Sequence, residues 1–170
     1  PMAGFSELFK NRWTILSPEP NVKKEDVKKV SDLWESMGSK VKIMSISEHD
    51  QILSLTSHLP HVIAYNIVKT SMTNGEKLKN DIIRYSAGGL RDFTRIAASD
   101  PIMWKDIFID NSELIIHAID NFVKNLTEFK NAIKEKDSKK LLDIFEKSKE
   151  FREAIIKAGQ DTDKPDFGRK

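Results

Sequence analysis

The amino-acid sequence predicts a mainly α-helical chain led by a short α/β unit. Three observations carry that reading. A strand, a helix and a second strand follow one another within residues 1–46. Helical periodicity then runs almost without break from Ser47, and from Asn111 the apolar positions recur in alternating steps of four and three.

The α/β unit can be taken element by element. Trp13-Thr14-Ile15-Leu16 is a β-prone apolar run, stopped by Ser17-Pro18-Glu19-Pro20. Lys23 to Met37 carries Val27, Val30, Leu33, Trp34 and Met37 at helical spacing, and Gly38 ends it. Val41 to Met44 reads as a second strand, and a helix between two strands with short links makes them parallel. Two strands and one helix leave sheet edges and a helix face uncovered. Residues 1–46 are therefore expected to be the C-terminal remnant of a larger α/β domain.

Ser47, with Asp50 three residues on, is expected to cap the first helix of the second part. Ile52, Leu53, Leu55, Leu59, Val62, Ile63 and Ile67 make that helix apolar on much of its circumference, which places it centrally. Pro60 should kink or interrupt it. Asn74-Gly75 marks a turn, and in Ser99-Asp100-Pro101 a capping side chain is followed by a proline suited to the first helical position. Ile115, Ile119, Phe122, Leu126, Phe129 and Ile133 form a heptad seam. Asp137 or Ser138 then caps a helix carrying Leu141, Leu142, Phe145 and Ile155 to Gly159. Such a hairpin needs a partner for its remaining apolar face, either a second copy of the chain or the helix of residues 48–70. Residues 47–159 thus read as one helical domain, and 160–170 as a polar tail.

Composition excludes several classes of partner. The net charge is +2 and lysines alternate with acidic residues, so no single-sign field attracts nucleic acid or an anionic membrane. No run approaches the roughly 20 apolar residues of a membrane span, and Pro1–Lys10 shows no secretory signal. The absence of cysteine removes disulfides, thiolate catalysis and thiolate metal sites, which fits a reducing, cytoplasmic setting.

Chemistry concentrates in Ala87 to Trp104, AGGLRDFTRIAASDPIMW. A Gly88-Gly89 loop running into a helix brings amides close to a bound anion. Arg91 and Arg95 follow one turn apart on one face, each with a planar fork of donors suited to a carboxylate. The bland alternative is a pair of surface arginines bonded to Asp92 and Asp100. His58 and His61 also lie one turn apart, so both can face one cleft. No third metal ligand accompanies them in the sequence, so no metal is expected. His49 and His117 are read as structural.

The segments LFKNRWTILSPEP (8–20), HDQILSLTSHLPHVIAY (49–65), AGGLRDFTRIAASDPIMWKDIF (87–108) and AGQDTDKPDFGR (158–169) together resemble the prephenate, arogenate or cyclohexadienyl dehydrogenases of tyrosine biosynthesis. The resemblance implies a helical substrate-binding and dimerisation domain after the end of a Rossmann domain. It further implies NAD- or NADP-dependent oxidative decarboxylation of prephenate or arogenate by a homodimer, with tyrosine as an inhibitor where one acts. By motif match it makes Arg95 the carboxylate clamp with Arg91 as helper, and sets the Gly88 backbone against the substrate. His61, with His58 beside it, falls at the side-chain end of the substrate, while Asp92 and Trp104 reach across the dimer.

Departures from the family pattern matter equally. No G-x-G-x-x-G fingerprint occurs, so no cofactor-binding residue is expected here. Family members carry a His-Pro-hydrophobic-Ala-Gly motif whose histidine is the catalytic acid/base; Pro1-Met2-Ala3-Gly4 matches it without the histidine, and residues that normally follow are missing before Phe5. The chain is thus expected to lack the catalytic residue and to be inactive alone. The alternative is a stand-alone helical ligand-sensing or dimerisation module. Dehydrogenases of 3-hydroxy acids share the layout, but their lysine and asparagine constellation is not found.

Overall fold

The computed structural model describes residues 4–5, 7–73 and 76–161. Two compact units result, Pro1–Ile119 and Asp120–Lys170. The tail beyond Asp161, the Asn74-Gly75 turn and the first three residues lie outside the described residues.

In the first unit, β1 (Trp13–Leu16) and β2 (Lys40–Ile43) form a two-stranded parallel sheet, with Trp13 opposite Lys40 and Leu16 opposite Ile43. Between them runs α1 (Lys24–Ser36), so the strand–helix–strand expectation holds, with β2 starting one residue earlier than read. Gly38 makes the return possible. Its φ is +89°, and a Cβ there would stand 3.3 Å from the Lys10 backbone, so a side chain meets both strain and a neighbour. Ser39 is buried beneath this corner, and Phe9 sets its ring edge on Trp34 at 5.2 Å. The outer faces stay open, with Trp13, Leu33 and Ile43 more than half exposed.

The helical part opens on α2 (Ile46–Leu53), capped by Ser45 rather than Ser47. Ser45 Oγ accepts from the Glu48 N–H, and the Glu48 carboxylate accepts from the Ser45 N–H at 2.8 Å. Glu48 sits three residues after Ser45, which closes the box; a Ser47 cap would have set Asp50 at that place. The Ser45 N–H, with the Ser45 hydroxyl donating to the same carboxylate oxygen at 2.8 Å, holds the Glu48 carboxyl below its ordinary pKa.

Pro60 interrupts the helix as expected, by a specific device. It has no N–H to donate to the carbonyl four residues back, and the chain widens into a π turn over Ser54–His58, where the Leu59 N–H donates to Ser54 O, five residues back. Regular winding resumes in α3 (Leu59–Met72). After α4 (Glu76–Arg84) comes α5 (Gly88–Ala97), which packs against α3, whose Ala64 is fully buried. Asp100 caps α6 (Pro101–Asp110), its carboxylate accepting from the Ile102 and Met103 amides at 2.9 Å.

The seam helix is α7 (Ser112–Lys134), which passes from the first unit into the second. In the second unit it is followed by α8 (Ser138–Lys157), capped by Asp137 and ended by Gly159 at φ +70°. Phe129 and Phe145 meet edge-on at 6.0 Å across this hairpin. Of the seam residues, Ile115 is buried. Ala118 and Ala132 are buried along α7, whereas Leu126 and Ile133 are each more than half exposed. Small side chains let backbones approach closely, and a search for large apolar residues passes over them. Among the described residues no helix is long and apolar enough to cross a membrane.

Candidate functional site

The sequence-selected residues fall into two sets on neighbouring elements. The first set lies on α5. Its helix begins at Gly88 itself, so the two glycines are the opening helical residues and not a loop, and neither has positive φ. No side chain caps Ala87, and a Cβ placed at Gly88 or Gly89 would meet nothing within 4 Å. Open space therefore stands beside both glycines. Arg91 is exposed, and Arg95, 70% exposed, makes a loose ion pair with Asp92 at 3.7 Å, too long for a hydrogen bond. Asp100 is engaged with its own helix rather than with an arginine.

The second set surrounds Trp104. This tryptophan is buried in its own chain at 6% exposure. The His61 ring stacks on it, centroids 3.5 Å apart and planes at 22°, while His58 approaches edge-on at 6.1 Å. Phe108 closes a third side at 5.5 Å, and Tyr65 sets its ring against Phe108. The structure thus brings His58, His61 and Trp104 together. Burying Trp104 leaves its indole N–H without an acceptor, and the Tyr65 hydroxyl is similarly placed.

Each histidine is held by one ring nitrogen. His61 Nδ1 lies 2.9 Å from Ser57 O. A carbonyl only accepts, so that nitrogen carries the proton. His58, buried in the π turn, has its Nδ1 3.2 Å from Asn111 Nδ2. Burial chiefly lowers the His58 pKa, aided by the nearby His49 and His61 charges and opposed by Asp50. His49 itself pairs with Asp50 at 2.8 Å, and His117 is exposed on α7. Among the described residues no group of three or more histidine, cysteine, aspartate or glutamate side chains is placed to hold a metal ion.

Two concavities elsewhere are apolar and contain none of these residues. One, about 310 Å³, lies between β1 and α1 beside Leu16, Val22 and Val30; the other, about 110 Å³, lies among α3, α4 and α5 beside Met72, Ile83 and Leu90.

Comparison with known proteins decides the family. The model of the prephenate dehydrogenase dimerization domain matches residues 45–147, well over half of the chain. The chain belongs to this family. This member is 39% identical over 155 residues to the cyclohexadienyl dehydrogenase of Zymomonas mobilis, covering 91% of this chain and 53% of the relative. It is 32% identical to the prephenate dehydrogenase of Bacillus subtilis, covering 87% and 40%. Among solved structures it resembles the prephenate dehydrogenase of Aquifex aeolicus in complex with hydroxyphenyl propionate and NAD+, with a TM-score of 0.82 and 36% identity over 91% of this chain and 54% of that one. It spans about half the length of these relatives.

Two mutational outcomes follow from the Trp104 cluster. Trp104→Ala should cost about 3–5 kcal/mol through loss of buried aromatic volume, read as a lowered urea midpoint, whereas Trp104→Phe, which also removes the orphaned N–H, should cost much less. His58 should make stability pH-dependent. Its folded pKa lies below the ordinary value of 6.5, so the unfolded chain binds more protons in the window beneath that value. Stability is then full above about pH 6.5 and falls as pH drops toward the lowered folded value. Urea unfolding across this range should show the fall, and His58→Gln should flatten it; an unchanged slope in the variant would assign the effect elsewhere.

Proposed function

We propose that this chain is the substrate-binding and dimerisation part of an NAD(P)-dependent prephenate or arogenate dehydrogenase. On this reading residues 1–46 end its nucleotide-binding α/β domain, 47–159 form the helical domain and 160–170 a tail. The exposed Trp13, Leu33 and Ile43 around the two-stranded sheet support the first assignment, because strands and helices of a larger α/β domain would cover them. The enzyme works in the cytoplasm.

The observation that carries the reading is the setting of Arg95. Its guanidinium stands exposed, bound only loosely to Asp92, on the helix packed against the one that bears His61. A planar fork with spare donors is suited to a substrate carboxylate, and Arg91 one turn before adds a second positive charge. The open turn at Gly88 lets substrate lie against backbone. His61 and His58 serve the side-chain end of the substrate, His61 also receiving tyrosine if it inhibits; Asp92 acts at the contact between copies, whereas Trp104, expected there too, packs on His61 of its own chain and backs the site from within.

The reaction is oxidative decarboxylation. NAD(P), bound by the remainder of the enzyme, supplies the hydride acceptor, and no residue of this chain is assigned to hold it. What the chain contributes is orientation of a di-acid whose ring becomes aromatic as carbon dioxide leaves. No histidine of this chain is assigned the acid/base role. Exposed Val123, Leu126 and Ile133, which share one face of α7, support a second copy as partner, since apolar surface left in water marks an interface.

Reduced-cofactor formation by the dehydrogenase carrying this chain, given prephenate and arogenate in turn with NAD or NADP, tests the reading. Turnover of one acid is expected. A folded protein inactive on both would leave a non-catalytic ligand-binding module.

A further inference from the structure

Asn111 reaches the candidate site from outside every motif that marks it. It ends α6, where its N–H donates to Ile107 O, and its own carbonyl accepts from Ile115 at the start of α7, so its backbone is fixed at the α6–α7 corner. From there its amide nitrogen donates to Asp50 O in α2 at 3.0 Å and meets His58 Nδ1 at 3.2 Å.

These two contacts determine a proton's position. Asp50 O is a backbone carbonyl and only accepts, so the Asn111 side chain must turn its NH₂ group, not its oxygen, toward α2. The second hydrogen of the same NH₂ then points at His58 Nδ1. A ring nitrogen that accepts carries no proton, so in the neutral ring the hydrogen sits on Nε2. We infer that Asn111 is a positioning residue that holds His58 as an Nε2–H hydrogen-bond donor for an oxygen of the bound acid. The donor role rests on the substrate site proposed above, whereas the proton's place rests on geometry alone.

The neighbourhood agrees. The groups facing His58 are His49 and Asp50 from α2, His61 from α3 and Trp104 from α6; burial, with the charges of His49 and His61, lowers the ring's pKa against the opposing pull of Asp50. His61 has the opposite arrangement, its Nδ1 proton committed to Ser57 O, so as neutral rings His58 would offer an Nε2 donor and His61 an Nε2 acceptor. A site that must recognise an oxygen without adding another full positive charge beside two arginines gains from a neutral donor.

Long-range ¹H–¹⁵N correlation spectra of the full chain, labelled on histidine, read the ring directly. The expected His58 pattern is a protonated Nε2 and a bare Nδ1. In Asn111→Asp the new carboxylate cannot donate, so Nδ1 should gain a proton and the ring should titrate at higher pH. In Asn111→Leu, which removes the donor and adds no charge, the two tautomers should mix. A wild-type His58 already protonated on Nδ1 would overturn the inference, as would an Asn111→Leu ring indistinguishable from wild type. The wild-type spectrum decides the point even if a variant fails to fold. In the complete dehydrogenase, Asn111→Leu should raise KM about tenfold with a smaller change in kcat. Unaltered KM beside a mixed tautomer would remove the donor role and leave the proton assignment standing.

Discussion

Arg95→Ala in the dehydrogenase that carries this chain should lower kcat/KM for the acid substrate by roughly ten- to 150-fold, while KM for the dinucleotide changes little. The estimate follows from the worth of a hydrogen bond to a charged group, about 1.5–3 kcal/mol, with tenfold per 1.4 kcal/mol. Because the Arg95 side chain is 70% exposed and only 3.7 Å from Asp92 at its nearest, its removal disturbs little within the fold. The variant should therefore melt near the wild-type temperature. Arg95→Lys should recover part of the loss, as charge is kept while the two-pronged geometry is not. Equal weakening toward acid and dinucleotide would contradict the clamp, since a general loss of structure affects both ligands.

Leu126→Glu should separate the copies of the proposed dimer and leave each one folded. Leu126 is 52% exposed in the single chain, so a charge there meets water in the monomer and apolar surface in the dimer. In a two-fold interface the substitution occurs twice, and two leucines withdrawn from burial cost roughly 3–6 kcal/mol. The dissociation constant should then rise by about 10²- to 10⁴-fold. Light scattering gives the mass and circular dichroism the helix content. Phe122 makes the useful contrast, because it is already half-buried in the chain and its replacement loses internal packing as well. A Leu126→Glu chain that remains a stable dimer would move the interface off this face of the hairpin.

Elements with strong local signals were legible from the residues. The stop at Ser17-Pro18, the Asp100-Pro101 start and the Gly38 and Gly159 ends each depend on the chemistry of one or two adjacent residues. The misplacement of the first cap from Ser45 to Ser47 has a plain reason: both are serines with an acid three residues on, and only the backbone decides which one stands outside the helix. Gly88 and Gly89 suggested a loop because glycine permits one, yet α5 winds through both.

Within the candidate site, residue types were readable and their arrangement was not. His58 and His61 are picked out by spacing and do come together, but the π turn that precedes them sets their phase relative to α2, and no sequence period announces such a turn apart from the nearby Pro60. Trp104 carried a cap-adjacent motif that said nothing of its burial against His61. Asn111 was invisible because it acts across 53 and 61 residues of sequence, on His58 and Asp50, with a side chain ordinary at the end of a helix.

The π turn also bears on how this segment tolerates change. One turn there holds an additional residue, so everything after His58 is rotated by about 100° relative to a helix of uniform pitch. A single-residue deletion within Ser54–His58 would close the π turn into regular helix and keep His61, Ala64 and Tyr65 facing their present neighbours, whereas a second deletion would turn them away. The stretch can therefore lose one residue without loss of phase, and a one-residue gap placed here in an alignment joins the two helices in register.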